Sequence, residues 1–544
     1  MNASTLSPWD AGIVGGYFLL VIVFGVWMGR RGIRNTDTLF LADREATWPL
    51  IGASMFSANI SSQQFVGQAG LAYSIGLVAG AFQMVGALCF VLLAVFFVDV
   101  YLSLRLRTAP EFFERRYSPG ARLFVSGINV VMILAANIAT ALYAGATVLT
   151  SLLGGNGEVF FHFAVFAIAA AAGTYAILGG LRSVLWTDLL QATLLLAGGT
   201  VTLIVSVGAA GGWSEVLATR AGDGSSPWNL VQPWDHAFGW LPLLTGAMIL
   251  GVHGHCTDHD YVQRALAARS LFHSKMGAIF AAFLKVAALF IIAAPGVVAA
   301  RLLPNLAHPD QAYAQLVSTY LPVGLKGLVL AGLLAAILGT VAAGLSAAAS
   351  MLTFDFAGRA FPGLSERARV RLGRVLMVGI LVLCALLAPG IREFKGVFAY
   401  LVQLWSLLAP PVFVCVVAGI FTTTATPRGA TATLIVGTLL GAVTFWMLGS
   451  KDISNALPRY LQSPLNWGFV ITLVCTAVMV AVSRHRPAGS QGSAETWRPG
   501  TSTASTMTAM ERRIYRCALL ILAVLWLAVV CAFSPLGWAT SRAG

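Results

Sequence analysis

Charge is scarce in this chain. Asp, Glu, Lys and Arg make up 10% of its 544 residues against 58% hydrophobic types, and the mean hydropathy is +0.81. That balance excludes a soluble multidomain protein of this length and leaves a polytopic membrane protein. Cysteine is scarce as well. Cys89, Cys256, Cys384, Cys415, Cys475, Cys517 and Cys531 lie in or beside apolar runs without CxxC spacing, so neither a disulfide framework nor a zinc site is indicated. No basic residue precedes the first apolar run, and Arg30 and Arg31 follow it, which argues for a retained span over a cleaved signal peptide. No stretch has the composition of a soluble catalytic domain.

What is present is apolar sequence in membrane-length pieces. A spanning helix needs roughly 20 mainly apolar residues, and about fourteen runs qualify, from 9–29 at the start to 514–535 at the end. Counting Lys and Arg loop by loop with the N-terminus outside puts most of the 34 on the inner face, a positive-inside bias that sets the orientation. Those inner loops also account for the formal net charge of +13, so no nucleic-acid partner need be invoked. The long polar segment at about 485–512, rich in Ser, Thr, Gly and Pro, reads as a cytoplasmic linker before the final span. The stretch 210–238 reads as an external loop.

Lys285 sits near the middle of an apolar run from about Leu271 to Ala300. A charge at that depth is costly, faces protein or a watery cavity, and marks a pathway or binding site. Two other runs are interrupted. One carries Ser57-Ala58-Asn59-Ile60-Ser61-Ser62-Gln63-Gln64, and another, five spans later, carries Gly251-Val252-His253-Gly254-His255-Cys256-Thr257-Asp258. Polar or Gly-broken segments at corresponding places in two halves point to an inverted-repeat transporter, with unwound backbone at mid-membrane binding substrate and ions. Small and polar residues also serve helix packing, but the density of polar side chains from Ser57 to Gln64 exceeds what packing needs.

Four stretches resemble the sodium:solute symporter family, most closely its sodium/sugar branch. They are Phe40-Leu41-Ala42-Asp43-Arg44 with Gly52-Ala53-Ser54 and Ser57-Ala58-Asn59-Ile60-Ser61; Tyr73-Ser74-Ile75-Gly76-Leu77; Gly179-Gly180-Leu181-Arg182-Ser183-Val184-Leu185-Trp186-Thr187-Asp188; and Gln263-Arg264-Ala265-Leu266-Ala267-Ala268. The resemblance covers roughly residues 9–484. It implies an all-α polytopic membrane protein whose core is ten helices in two inverted five-helix repeats of the leucine-transporter type. The expected divisions are 1–47, a first extra helix and cytoplasmic loop; 48–209, the first repeat; 210–238, the external loop; 239–420, the second repeat; 421–484, two accessory helices; 485–512, the linker; and 513–544, the last helix and external tail.

By the same resemblance the coupling ion is Na+. Its site would use backbone oxygens of Ser57 and Ile60, the carbonyl of Ala336 and the hydroxyl of Thr340, a sensible set because hard cations take oxygen ligands. Where the branch often carries a second hydroxyl this chain has Gly339. Asp188 matches an acid on the sodium exit path; pairing with the nearby Arg182 is the plainer reading. Gln64 and Lys285 match sugar-binding positions, whereas the pocket glutamate, asparagine and aromatic inner gate fall on Gln83, Gly251 and Gly254. The glutamine of span eleven falls on Val402, with Gln403 beside it.

Phe82 and Tyr400 neighbour mapped pocket positions and are favoured over Trp405 for stacking on a sugar. With Gln83 neutral, the mapped pocket offers Lys285 no counter-charge, which would suit an acidic solute. His253, His255 and His259 with Asp258 and Asp260 resemble a metal cluster, but helical spacing scatters them around the axis. Pro410-Pro411 is expected to kink span eleven. Glu111, Glu114, Arg115 and Arg116 read as a solvated cytoplasmic face.

The function expected is sodium-coupled symport of a small polar solute, a sugar or sugar-derived compound, by alternating access in a bacterial plasma membrane, as a monomer or weak oligomer. The alternatives are proton-coupled or monocarboxylate symport and a membrane sensor of transporter-like fold. An enzyme is not expected, because no nucleophile or metal arrangement accompanies the buried acids.

Overall fold

The computed structural model describes residues 7–29, 32–60, 64–153, 157–220, 224–306, 308–393, 397–484 and 507–541. Among them every assigned element is helical, apart from an isolated parallel bridge between Ala46 and Ala268. Helix α1 (Pro8–Met28) precedes an interrupted segment formed by α2 (Trp48–Asn59) and α3 (residues 64–75). Then come α4 (Leu77–Ser103), α5 (Pro119–Thr150) and α6 (Glu158–Ala209). A second interrupted segment, α7 (residues 240–257) and α8 (His259–Leu266), leads into α9 (Leu271–Leu302), α10 (Leu325–Ala360), α11 (Glu366–Ile391) and α12 (Val397–Phe421). The last three are α13 (Pro427–Gly449), α14 (Pro464–Arg484) and α15 (Ala509–Ala532).

Eleven described helices are long and apolar enough to cross a membrane. One of them, α6, holds two membrane-length halves, because Gly180 turns the chain at φ 62°, ψ −165°. A Cβ there would also lie 2.8 Å from the Leu39 carbonyl oxygen. This glycine is the reason the Gly179–Asp188 string joins two spans so tightly. By length and composition the described residues give eleven against the fourteen expected, a criterion that counts α6 once and leaves out the two interrupted segments. Residues 485–506 of the expected linker lie outside the described residues.

Both interruptions exist. Helix α2 stops at Asn59, and Ile60 has φ −84°, ψ 88°. The second break is at Asp258, φ −66°, ψ 129°, the last residue of the Gly251–Asp258 stretch, whose earlier residues are helical and run through a π segment, His253–Thr257. The cause is capping. The Asp258 carboxylate accepts the Asp260 N–H at 3.1 Å and starts α8, the usual role of an aspartate at an N-cap.

Burial ranks the helices. The apolar window of α10 is 94% buried, and those of α1 and α15 are 11% buried, so α10 is the central pillar against which α6 packs most extensively. The Asp10 carboxylate caps that pillar, accepting the Gly324 and Gly327 N–H groups at 2.8 and 2.7 Å. Helix α2 packs along α9, which brings the first break beside Lys285. The loop 210–238 folds over one end: Trp228 is buried, and Pro227 accepts the Leu77 N–H at 2.7 Å.

At the arginine-rich end, the short helix Glu111–Arg116 is only in part the solvated face expected: Arg115 is exposed and pairs with Glu111 at 2.9 Å. Arg116 is buried and donates to the Gly419 and Thr422 carbonyls at 3.0 Å each, closing the C-terminus of α12. Glu114 bridges Arg122 and Arg359. Helix α12 continues through Pro410 and Pro411.

Candidate functional site

A cavity of about 180 Å³ opens where the two interrupted segments meet α4, α9 and α10. One wall is a closed ring of polar side chains. Lys285 Nζ donates to Asn59 Oδ1 and, at 2.8 Å, to Gln83 Oε1. Gln83 Nε2 donates to Gln64 Oε1 at 2.9 Å and to Gln68 Oε1 at 2.6 Å, and Gln64 Nε2 reaches Asn59 Oδ1 at 3.4 Å. Tyr261 accepts from Asn59 Nδ2 at 2.8 Å, and Ala79 accepts from Gln68 Nε2 at 2.7 Å. The break after Asn59 makes the ring possible, since it lets α2 present Asn59 while α3 turns Gln64 and Gln68, one helical turn apart, to the same wall. The remaining lining includes Phe82, Asn137, Gly251, Gly254, His255, Asp258, Thr340 and Trp405.

Two residues before Asn59, a second polar group is buried between α2, α6 and α10. Ser57 Oγ donates to Gln191 Oε1 at 3.3 Å. Thr340 Oγ1 donates to the Ala336 carbonyl at 3.0 Å, and Thr340 also lines the cavity. Asp188 is fully buried. Its Oδ2 accepts from Ser54 Oγ and lies 3.6 Å from Arg264 Nη2, while its Oδ1 has no hydrogen-bond partner. Arg264 in turn donates to Ser54 Oγ and Asp260 Oδ1, each at 2.8 Å. The expected pairing of Asp188 with Arg182 does not occur; Arg182 faces Glu45 at 3.6 Å.

An oxygen-rich cluster with an unpartnered buried carboxylate oxygen is the chemistry a hard monovalent cation accepts. Ser57 lies in the last turn of α2, where helix carbonyls lack onward donors.

The sodium:solute symporter family model matches residues 39–437. The chain belongs to that family. It is 30% identical over 492 residues, 84% of this chain and 72% of the relative, to the sodium/myo-inositol cotransporter 2 of Mus musculus. With the sodium/glucose cotransporter of Vibrio parahaemolyticus the identity is 28% over 558 residues, covering 96% of this chain and 98% of the other. A solved Na+-coupled sialic acid symporter, in a substrate-bound outward-open state, superposes with a TM-score of 0.76 over 89% of this chain and 99% of that one at 20% identity, a likeness of fold. Family membership makes Na+ the coupling ion and the protein a membrane-embedded transporter of a small solute.

Within this symporter the residues singled out from sequence divide cleanly. Gln64, Phe82, Gln83, Gly251 and Lys285 all line the cavity. Phe82 also packs edge-on against Phe238 of the 210–238 loop, centroids 5.7 Å apart. Gln403 is elsewhere: its amide donates to the Phe445 carbonyl at 3.4 Å, because its helical position faces α13. The side chain of Tyr400 lies outside the described residues, and Trp405, 5.4 Å from the ring of His253, lines the cavity together with Phe82 and Tyr261.

The neutral pocket expected around Lys285 needs one correction, because Asp258 lines the same cavity. The histidines diverge. His253 bonds Thr257, His255 bonds the Gly251 carbonyl, and His259 bonds Ser350 and Ala109, and no metal-holding group of three occurs among the described residues. At Gly251 a Cβ would meet Cys89 Sγ at 2.6 Å, which explains why no larger side chain stands there, whereas Gly254 faces open space. Asn59, Gln68 and Gln191 were missed; the first two were signalled by the polar run and its helical spacing.

Proposed function

We propose that the protein imports a small polyhydroxylated solute, a sugar or cyclitol, together with Na+. The carrying observation is the break in α2, which sets Ser57 in the buried oxygen cluster and Asn59 in the cavity ring two residues later. Ser57, Ile60, Ala336 and Thr340 would hold Na+, with Asp188 on its way out. Bound Na+ would supply positive charge that fixes the loosened end of α2. Asn59, Gln64, Gln83 and Lys285 offer alternating donors and acceptors to hydroxyls, and Trp405 and Phe82 offer apolar faces, the combination that recognises a sugar ring. Because one short backbone segment serves both ligands, each raises the affinity for the other by the same factor.

The arginine-rich end faces the cytoplasm and α1 starts outside, in the inner membrane of a bacterium. Residues 48–209 and 239–420 are the two inverted repeats, which rock around the site, in a monomer or weak oligomer. One observation favours an acidic solute as a second reading: among the described residues Lys285 meets only amide oxygens and makes no ion pair.

Uptake of labelled myo-inositol, glucose and glucuronate into proteoliposomes under a sodium gradient, a proton gradient or neither tests the proposal. Sodium-dependent entry of a neutral polyol is expected. Entry driven equally by protons, or unaffected by sodium, sinks it.

A further inference from the structure

Gly339 lies on α10 one residue before Thr340, with no side chain of its own, and its bare face is where three oxygens converge. A Cβ built there would press against Gln191 Oε1, lie 2.9 Å from Ser57 Oγ and lie 3.2 Å from Asp188 Oδ1. Of the three, only Ser57 Oγ carries a proton to share, and it spends it on Gln191 Oε1 at the long distance of 3.3 Å. Asp188 Oδ1 has no donor at all. Gln191 and Asp188 are both fully buried, so water does not relieve the crowding of acceptors. The Gln191 amide also neighbours the Tyr175 hydroxyl, which donates to the Leu338 carbonyl at 3.0 Å. An amide carbonyl held among acceptors beside a bare glycine face is placed for something electropositive.

We propose that Gln191 supplies the oxygen that α10 withholds at Gly339, so that the Na+ site of this chain is completed from α6. The inference rests on the sodium-coupled reading above and deepens it. Its chemistry is simple: an amide carbonyl is a hard neutral ligand that adds coordination without adding charge. The glycine is then part of the same device, since a side chain at 339 would occupy the space Gln191 Oε1 fills. The spacing of Gln191 from Asp188 is three residues, which sets both on one face of α6 toward α2 and α10.

The test uses the purified full-length protein, with 22Na+ binding by scintillation proximity and the Na+-induced rise in melting temperature against choline as readouts. Gln191→Met, which keeps the bulk and removes the oxygen, is expected to weaken Na+ binding about 10-fold or more. Gln191→Ala is expected to do the same, and the double variant Gln191→Ala with Gly339→Ser to recover most of the affinity, because the hydroxyl enters the vacated space. Wild-type affinity in Gln191→Met overturns the proposal. So does a double variant no better than Gln191→Ala, since a purely structural glutamine would not be replaced by a hydroxyl on another helix. Wild-type protein that shows no Na+-dependent binding or stabilisation overturns the sodium-coupled reading itself, and this inference with it.

Discussion

At the scale of single residues, Lys285 is the group through which the proposed solute site is best tested. Its ammonium is satisfied by Asn59 and Gln83 oxygens and leaves a third donor for a ligand. A hydrogen bond from a charged group contributes roughly 1.5–3 kcal/mol, so Lys285→Gln should weaken solute affinity about 10- to 100-fold while the Na+-induced thermal shift persists. Equilibrium competition against a labelled polyol measures the first, and melting curves the second. Gln83→Glu sets a carboxylate against the same ammonium, and the ratio of glucuronate to inositol inhibition should fall.

Glu114, outside the spans, yields to a pH experiment. Burial raises its pKa, but the contacts with Arg359 and Arg122 outweigh burial and hold the carboxyl below its ordinary range. A lowered pKa in the folded state contributes stability that is present above the unfolded value and is lost as pH falls through the folded one. Glu114→Gln should therefore lower the melting temperature at pH 7, by an effect of about 1 kcal/mol given partial exposure, and the gap to wild type should close as pH drops below about 4. A gap that is constant with pH would mean that the side chain acts only by packing. Sequence reading missed this role because its partners are local in only one direction: Arg122 is eight residues away, whereas Arg359 comes from the far end of α10.

At the scale of elements, the two interruptions show what a sequence makes legible. The α2 break was readable because six of eight consecutive side chains are polar, and no lipid-facing helix would tolerate that run. The second break falls at Asp258, the last residue of the Gly251–Asp258 stretch, and not at its glycines. The structure uses them for closeness to Cys89 and for cavity space, and the aspartate cap at 258 ends the helix. Gln191 was invisible for another reason: one amide in an apolar run carries no pattern, and only the fold brings Ser57 and Gly339 to it.

The kink in α6 makes a sharp test. Gly180→Ala imposes both a left-handed backbone on a residue with a Cβ and a contact with Leu39, and strain of roughly 1–3 kcal/mol is expected. Gly379→Ala in α11, where a Cβ meets nothing within 4 Å, should be neutral. Fluorescence-detected size exclusion after heating compares the two, and equal loss from both would show that the turn at Gly180 is not under steric control.

At the scale of the whole molecule, the charge moved per cycle links the pocket to the membrane's energy. A single charge crossing 100 mV gains about 2.3 kcal/mol, and a tenfold Na+ gradient adds about 1.4 kcal/mol. One Na+ moving with a neutral polyol can therefore sustain several-hundred-fold accumulation, whereas an anionic solute cancels the electrical contribution and is limited to about tenfold. The electrical signature thus reports the chemistry at Lys285. With a neutral solute, an inside-negative potassium diffusion potential should raise the initial rate and the steady-state level in proteoliposomes, and a short-circuited membrane should lower both. If the transported compound is a monovalent acid carried with one Na+, the steady-state level should ignore the imposed potential, and Asp258 and Gln83 would then have to be read as leaving the ammonium's charge for the substrate to neutralise.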